Sequence, residues 1–294
     1  MKLNKRTTIV AASIVIAGIA IFALSRGNKS SSVAEEPITK SPVATVQPMN
    51  ISIFLDLSDR LVAKGPNGNC PQMEKDTAII GYVQRWFIQR QYKNRLQTGD
   101  RIQVLLYPNP NVSNIANLQK QLMADFKLGN NKAETIKKNK RTMKVMPQIW
   151  TNALSDIYGK TISTKHWVGS DIWGFFDVSA KRQCVKKGYR NVLMILTDGY
   201  LYYQDTWKKT ANGIYTGITP VTVDNQVAIS PINDDFSDLE VLFLEINPRK
   251  PAHFGKMKRL LTDWCNGMGI QHVEVVRTDL PALTQSSIDE FLEL

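Results

Sequence analysis

The chain has 294 residues, 43% of them apolar, which suffices for one large domain or two small ones with an ordinary core. A formal net charge of +11 suits anionic partners such as nucleic acid, phosphate-rich membrane surfaces or acidic proteins without choosing among them, and a solvated basic surface is the plainer reading. Cys70, Cys184 and Cys265 form no CxxC and no zinc spacing with histidine, and three thiols allow at most one intramolecular disulfide, so neither zinc binding nor a redox role is indicated.

Lys2, Lys5 and Arg6 precede an apolar stretch from Ile9 to Leu24, broken only by Ser13 and Gly18. With its flanks this approaches the roughly 20 residues that a spanning helix needs. Residues 1–25 therefore read as an uncleaved transmembrane anchor, or else as a signal peptide cut near Ala23 and Ser25. The leading basic residues place the amino terminus in the cytoplasm and everything after the segment on the non-cytoplasmic side, in the periplasm or at the cell surface; cleavage would release the chain as a secreted protein. Residues 26–48 turn to Ser, Thr, Pro and Lys and read as a linker, with the folded domain occupying 49–294.

The run Ile51 to Arg60, ISIFLDLSDR, opens the domain as a strand buried on both faces that stops abruptly at Asp56. A loop from Lys64 to Pro71 leads to a helical pattern over Glu74 to Leu96, in which Ile79, Val83, Trp86 and Phe87 share one face. Arg101 to Tyr107 is predicted as a second strand and Ile115 to Phe126 as a shorter helix. Ala133 to Lys144 carries Lys137, Lys138, Lys140, Arg141 and Lys144 on a helix without interleaved aromatics, so nucleic acid is not the expected partner. Pro147 is expected to start a new helix that Gly159 ends. Another helix is predicted over Asp171 to Cys184, and then a strand, Val192 to Thr197, that stops at Asp198 in LTDG.

Residues 199–236 form the least regular stretch and read as an insertion carrying a hairpin or surface lobe. Its Tyr200, Tyr202, Tyr203 and Trp207 either form a recognition surface or pack the lobe onto the sheet. A strand over Leu239 to Ile246, a helix over Phe254 to Gly267, a strand over Gln271 to Val276 and a closing helix over Ser286 to Leu292 complete the order. Strands alternating with helices imply a doubly wound, mostly parallel α/β sheet covered on both faces. In such a sheet Asp56 and Asp198 would meet at the carboxyl edge, where ligands bind.

At that edge Asp56 and Ser58, Ser170, and Thr197 with Asp198 would supply carboxylate and hydroxyl oxygens from three loops, a set suited to magnesium or manganese. The pattern resembles the von Willebrand factor A family, whose metal-ion-dependent adhesion site combines a DxSxS turn, a threonine in a Gly-containing loop and an aspartate in TDG. DLSDR matches with Asp56 and Ser58 and departs at Arg60, GSD offers Ser170 for the threonine, and LTDG supplies Asp198. The resemblance implies metal residues Asp56, Ser58, Ser170 and Asp198, with a bound Mg²⁺ or Mn²⁺.

Arg60 either points outward and leaves that reduced metal site, or bridges the two aspartates and replaces the ion. A unit charge pair at about 4 Å is worth roughly 4 kcal/mol at an effective dielectric of 20, enough to compete with a cation. The family likeness implies binding rather than catalysis: a protein-binding module of the cell envelope that captures an acidic group, through the ion or through Arg60 itself. Two alternatives stand beside it. One is a metal-dependent phosphatase of the haloacid-dehalogenase type, for which Ser58 stands where a second aspartate is needed; the other is an envelope scaffold without a metal. His166, His253 and His272 read as surface or helix-end residues and suggest no nucleophilic triad.

Overall fold

A computed structural model of the chain describes residues 46–58, 71–127, 132–164 and 169–293. Arg60, Cys70, His166, the anchor or signal segment and nearly all of the linker lie outside them. The chain runs β1 (Met49–Leu55), α1 (Pro71–Lys93), β2 (Arg101–Leu105), α2 (Ile115–Gln121), β3 (Met123–Asp125), α3 (Lys132–Ser163) and α4 (Ile172–Phe175). After a π-helical turn (Phe176–Ala180) come α5 (Lys181–Cys184), β4 (Arg190–Leu196), α6 (Pro220–Asp224), β5 (Leu239–Ile246), α7 (His253–Gly267), β6 (Val273–Arg277) and α8 (Pro281–Glu293). The strands form a six-stranded sheet in the order β3-β2-β1-β4-β5-β6, parallel throughout except where β3 runs against β2. Connections leave β1 in one direction and β4 in the other, so the order reverses between these two strands, the position at which open α/β sheets bind ligands.

All seven residues of β1 are buried, as a central strand of a parallel sheet requires. Ile51, Ile53 and Leu55 with Val192, Met194 and Leu196 face one core, filled by Ile79, Val83 and Phe87 of α1, Trp150, Leu154 and Ile157 of α3, and Phe291 of α8. Phe54, Leu193, Ile195, Val241 and Phe243 face the other, against Phe175 and Phe176, Leu261 and Trp264 of α7, and Ile218 and Phe236 of the 199–236 stretch. Helices therefore cover both faces of the sheet. All six strands and both cores lie within Thr45–Leu294, so that stretch holds what it needs to fold without the residues before it.

Two expectations about helix bounds are corrected. Pro147 and Gly159 neither start nor end a helix but lie inside α3, a single 32-residue helix. Pro147 is exposed, so its missing N–H costs a bond on the solvent side, while Met143, Met146, Trp150, Ala153 and Leu154 hold the helix on the sheet from both sides of it. The helix predicted to reach Phe126 stops at Gln121, and Met123–Asp125 pairs antiparallel with Arg101–Gln103. A three-residue edge strand is too short to show a period of two. Among the described residues no helix is long and apolar enough to cross a membrane.

Polar residues on β1 also have a structural use. Asn50 donates to the Cys184 carbonyl (2.7 Å), and Gln103 donates to Ser52 Oγ (2.9 Å) and to the Gln183 carbonyl (2.8 Å). The sheet thus satisfies the last carbonyls of α5 that the helix leaves open. The thiols of Cys184 and Cys265 are free and buried, and burial pushes the Cys184 pKa up to about 12, which keeps it an inert packing residue.

At the amino edge the fully buried carboxylate of Asp100 gathers the Met49 N–H (2.8 Å), Arg90 Nε (3.1 Å), Gln91 Nε2 (2.5 Å) and Thr98 Oγ1 (2.9 Å). Those contacts join α1, the turn after it and the first residue of β1. In Asp100→Ala the Arg90 guanidinium and three further donors lose their acceptor, and the unfolding free energy measured in urea should fall by about 3 kcal/mol with an unchanged m-value.

Candidate functional site

β1 and β4 end side by side, with Leu55 paired to Leu196 and the Asp56 N–H donating to the Leu196 carbonyl (3.0 Å). Thr197, which has no exposed surface, donates its hydroxyl to Asp56 Oδ2 (2.7 Å), and the Ser58 N–H donates to Oδ1 (2.9 Å). Both oxygens of a carboxylate only 3% exposed are therefore served from within the chain. Thr197 Oγ1 accepts from the Gly199 N–H (3.1 Å), and Asp198 Oδ1 accepts from the Tyr200 N–H (2.9 Å). These bonds turn the chain sharply out of β4, with Gly199 at φ 99°. A β-carbon there would stand 2.2 Å from Met257 Sδ and 3.2 Å from Ile246, so the turn lies flat on the second core.

The loop before α4 comes to the same edge. The Leu57 N–H donates to Ser170 Oγ (2.9 Å), and the Ser170 N–H donates to Ser58 Oγ (2.8 Å). Two serines from distant loops thus hold each other's backbone. Each hydroxyl oxygen accepts one N–H and keeps a lone pair and its own proton. Gly169 has φ 96°, and a β-carbon on it would sit 2.9 Å from Ser58 Oγ, so this approach depends on glycine.

Asp171 follows as the N-cap of α4, accepting the Gly174 N–H (2.8 Å) and the Thr206 hydroxyl (3.0 Å) on Oδ1, while its own N–H donates to the Tyr107 carbonyl (2.8 Å). It joins the end of β2, the Ser170 loop and the 199–236 stretch. Burial raises its carboxyl pKa, as do the nearby Asp177 and Asp205, against the lowering effect of its two hydrogen bonds. Burial likewise raises the phenols of Tyr107 and Tyr203, with Asp171 adding to both.

Of the residues proposed from sequence, Asp56, Ser58 and Ser170 are brought into one hydrogen-bonded network, and Asp198 stands beside them at the end of β4. Among the described residues no three His, Cys, Asp or Glu side chains cluster as a metal-binding group, so a cation here would depend on hydroxyls and water as much as on carboxylates. The oxygen-only set fits a hard divalent ion in its chemistry.

The 199–236 stretch packs down onto the sheet through Leu201, Ile218, Val223, Ile229 and Phe236, and β-bridges join Tyr215 to Lys209 and to Ile229. Trp207 stacks on Tyr215 (5.4 Å between ring centres), whereas Tyr202 stays half exposed. His253 begins α7 but is buried, its Nε2 2.7 Å from Asp224 Oδ1, so it is a helix-end residue without being a surface one.

Sequence reasoning took Asp171 only as the first residue of a predicted helix and did not single out Glu245. Glu245 has φ 68° at an irregularity of β5, is 2% exposed, and pairs with Lys75 of α1 while accepting from Thr278 (2.8 Å) and Thr284 (3.3 Å). The available signal was an acid in the otherwise apolar run LEVLFLEI.

No protein-family model matches the chain, and no curated protein matches it. Among solved structures the chain is similar to the pilus adhesin SpaC from Lactobacillus rhamnosus GG in its open conformation, at 13% identity and a TM-score of 0.39. The match covers 85% of this chain and spans 30% of the adhesin's length. A likeness at that level settles neither family nor function.

Asp171 gives a signed pH dependence. A carboxyl whose folded-state pKa is raised favours the folded state below its unfolded-state pKa, and that advantage is lost as pH rises through the folded-state value. Asp171→Asn keeps an oxygen for Gly174 and Thr206 and cannot ionise. Relative to the parent, its melting temperature should be highest at neutral pH and the difference should shrink as pH is lowered through the carboxylate range, followed by thermal unfolding in a pH series.

Proposed function

We propose that the domain is a von Willebrand factor A-like binding module that takes a divalent cation, magnesium or manganese, at the β1/β4 edge and captures an acidic group of a partner protein. In this reading the amino-terminal segment ties it to a membrane, with the domain on the non-cytoplasmic side. The observation that carries the proposal is the reciprocal bonding of Ser58 and Ser170 beside Asp56: Leu57 N–H to Ser170 Oγ at 2.9 Å and Ser170 N–H to Ser58 Oγ at 2.8 Å. Ordinary turns and caps do not need two serines from distant loops to bind each other's backbone next to a buried carboxylate. Preorganising them there leaves spare oxygen lone pairs around a negative charge at the switch point of the sheet.

Asp56, Ser58, Ser170 and Asp198 would hold the ion, and Thr197 would orient Asp56. Bound there, the ion would offer a Lewis-acidic position to an incoming carboxylate. Among the described residues the donors to Asp56 are Thr197 Oγ1 and the Ser58 N–H, not the hydroxyls of Ser58 and Ser170.

The test is calorimetric titration of magnesium and manganese into residues 45–294, beside Asp198→Ala and Arg60→Ser. Saturable binding in the parent, weakened at least tenfold in Asp198→Ala, is the expected result. Binding that emerges only in Arg60→Ser would mean that the arginine stands in place of the ion. Silence in all three would overturn the cation site.

A further inference from the structure

The opposite end of the sheet carries a surface of different character. The chain enters the domain there: Arg90 Nη2 donates to the Gln47 carbonyl (2.8 Å), and the Arg190 N–H donates to the Pro48 carbonyl (2.9 Å). Around that entry, turns from three separate connections end in cations. Lys93 and Arg95 close α1, Lys127 follows β3, whose end is fixed by the Phe126 N–H on the Asp100 carbonyl (2.9 Å), and Lys186 and Lys187 precede β4. Lys93, Arg95, Lys127 and Lys187 are exposed. Asp100 is buried and engaged by Arg90, and Asp125 lies 3.7 Å from Lys127. Among the described residues Lys93, Arg95 and Lys187 have no carboxylate partner. Lys93 also lines a cleft of about 800 Å³ that holds Arg85, Arg90 and Arg190 together with Asp289 and Glu293.

Arg95 stands where a glycine would be favoured. The Leu96 N–H reaches back to the Gln91 carbonyl (2.8 Å) and the Arg95 N–H to the Tyr92 carbonyl (3.0 Å), the paired bonds of a helix ending in a left-handed residue. Arg95 has φ 54° and Leu96 φ 58°. Leu96 is buried and anchors the turn, whereas Arg95 gains nothing from packing. A strained backbone that holds an exposed cation at the tip of an edge points to use of the cation.

We propose that this amino edge lies on anionic phospholipid headgroups, contacting them through Tyr92, Lys93, Arg95, Lys127, Lys186 and Lys187. The choice of membrane rests on the reading of residues 1–25 as an anchor, because the chain from that segment enters the domain at this edge. The chemistry agrees. The cations come from three separate turns, with Lys186 over the Tyr189 ring (4.1 Å), rather than from one run of interleaved basic and aromatic residues, which suits a mobile sheet of phosphates better than a nucleic acid strand. Tyr92, 53% exposed among them, is the amphipathic ring that settles at headgroup depth. Acidic Asp234, Asp235 and Asp238 lie before β5 on the other half of the edge, which would tilt that half away from an anionic surface.

The test is co-sedimentation of residues 45–294, which lack the apolar segment, with vesicles of phosphatidylglycerol and phosphatidylcholine in equal parts and of phosphatidylcholine alone. Binding is expected only to the anionic vesicles and should weaken with salt. Arg95→Gly should bind roughly fivefold more weakly, the effect of one surface cation, while its melting temperature holds or rises because glycine relieves the strained turn. Arg95→Lys should retain binding. No binding to anionic vesicles, or equal losses in Arg95→Gly and in a Lys137→Gln control on the exposed face of α3, would overturn the proposal, as would displacement from the vesicles by duplex DNA at equal phosphate. Alkaline extraction of the full chain from membranes reads the anchor separately. An extractable full chain with vesicle binding intact in 45–294 removes only the anchor, whereas a resistant full chain with no vesicle binding in 45–294 removes only this surface.

Discussion

The hydroxyl of Thr197 donates to the carboxylate of Asp56 across the gap between the first and fourth strands, and much of the domain's architecture bears on that gap. It is the place where the strand order reverses, so the connections that cover the rest of the sheet run away from it on both sides. Strand ends exposed in this way need polar residues, yet Asp56 is almost fully buried. A buried carboxylate is tolerated only when its oxygens are served. Thr197 and the Ser58 N–H do so, leaving the hydroxyls of Ser58 and Ser170 beside Asp56 without drawing them into its own satisfaction.

The bulge in β5 supports this arrangement from the side. The Thr197 N–H bonds the Leu244 carbonyl (3.1 Å) and the Asn247 N–H bonds the Asp198 carbonyl (2.9 Å), so the ladder holds Asp198 in place while Glu245 turns away between them. A non-glycine residue in the left-handed region costs about 1 kcal/mol. Here the cost is offset by a buried carboxylate that ties β5 to Lys75 in α1, to Thr278 after β6 and to Thr284 in α8. The strained residue thus acts on the edge indirectly, by fixing the three elements that surround the end of β5.

The sheet was legible in the sequence because a strand buried on both faces leaves an unbroken apolar run, as in VLMIL, and because Asp56 and Asp198 mark where two such runs stop. That Asp56 and Asp198 come to one edge followed from the geometry of parallel strands. What was illegible has specific causes. Three residues of β3 carry no period, and Pro147 punctuates a helix only when burial on either side does not override it. Asp171 looks like any N-cap until Thr206, 35 positions on, is seen to share its oxygen, and nothing local announces that pairing. The polar Asn50 and Ser52 could not be assigned either, because the carbonyls and side chains that they satisfy belong to distant segments.

The two ends of the sheet are also far enough apart to act independently. β1 has seven residues, and at about 3.3 Å per residue it spans roughly 23 Å. The Debye length at physiological ionic strength is about 8 Å, so the basic amino edge is screened almost completely at the carboxyl edge. The net charge of +11 therefore does little for an acidic partner at the Asp56 end, although it is the most conspicuous feature of the composition. Under the proposed function, selectivity for a carboxylate has to arise within a few ångströms of Asp56 and Asp198. A bound cation, or Arg60 in its place, would supply positive charge on that scale without neutralising the surface at the other end.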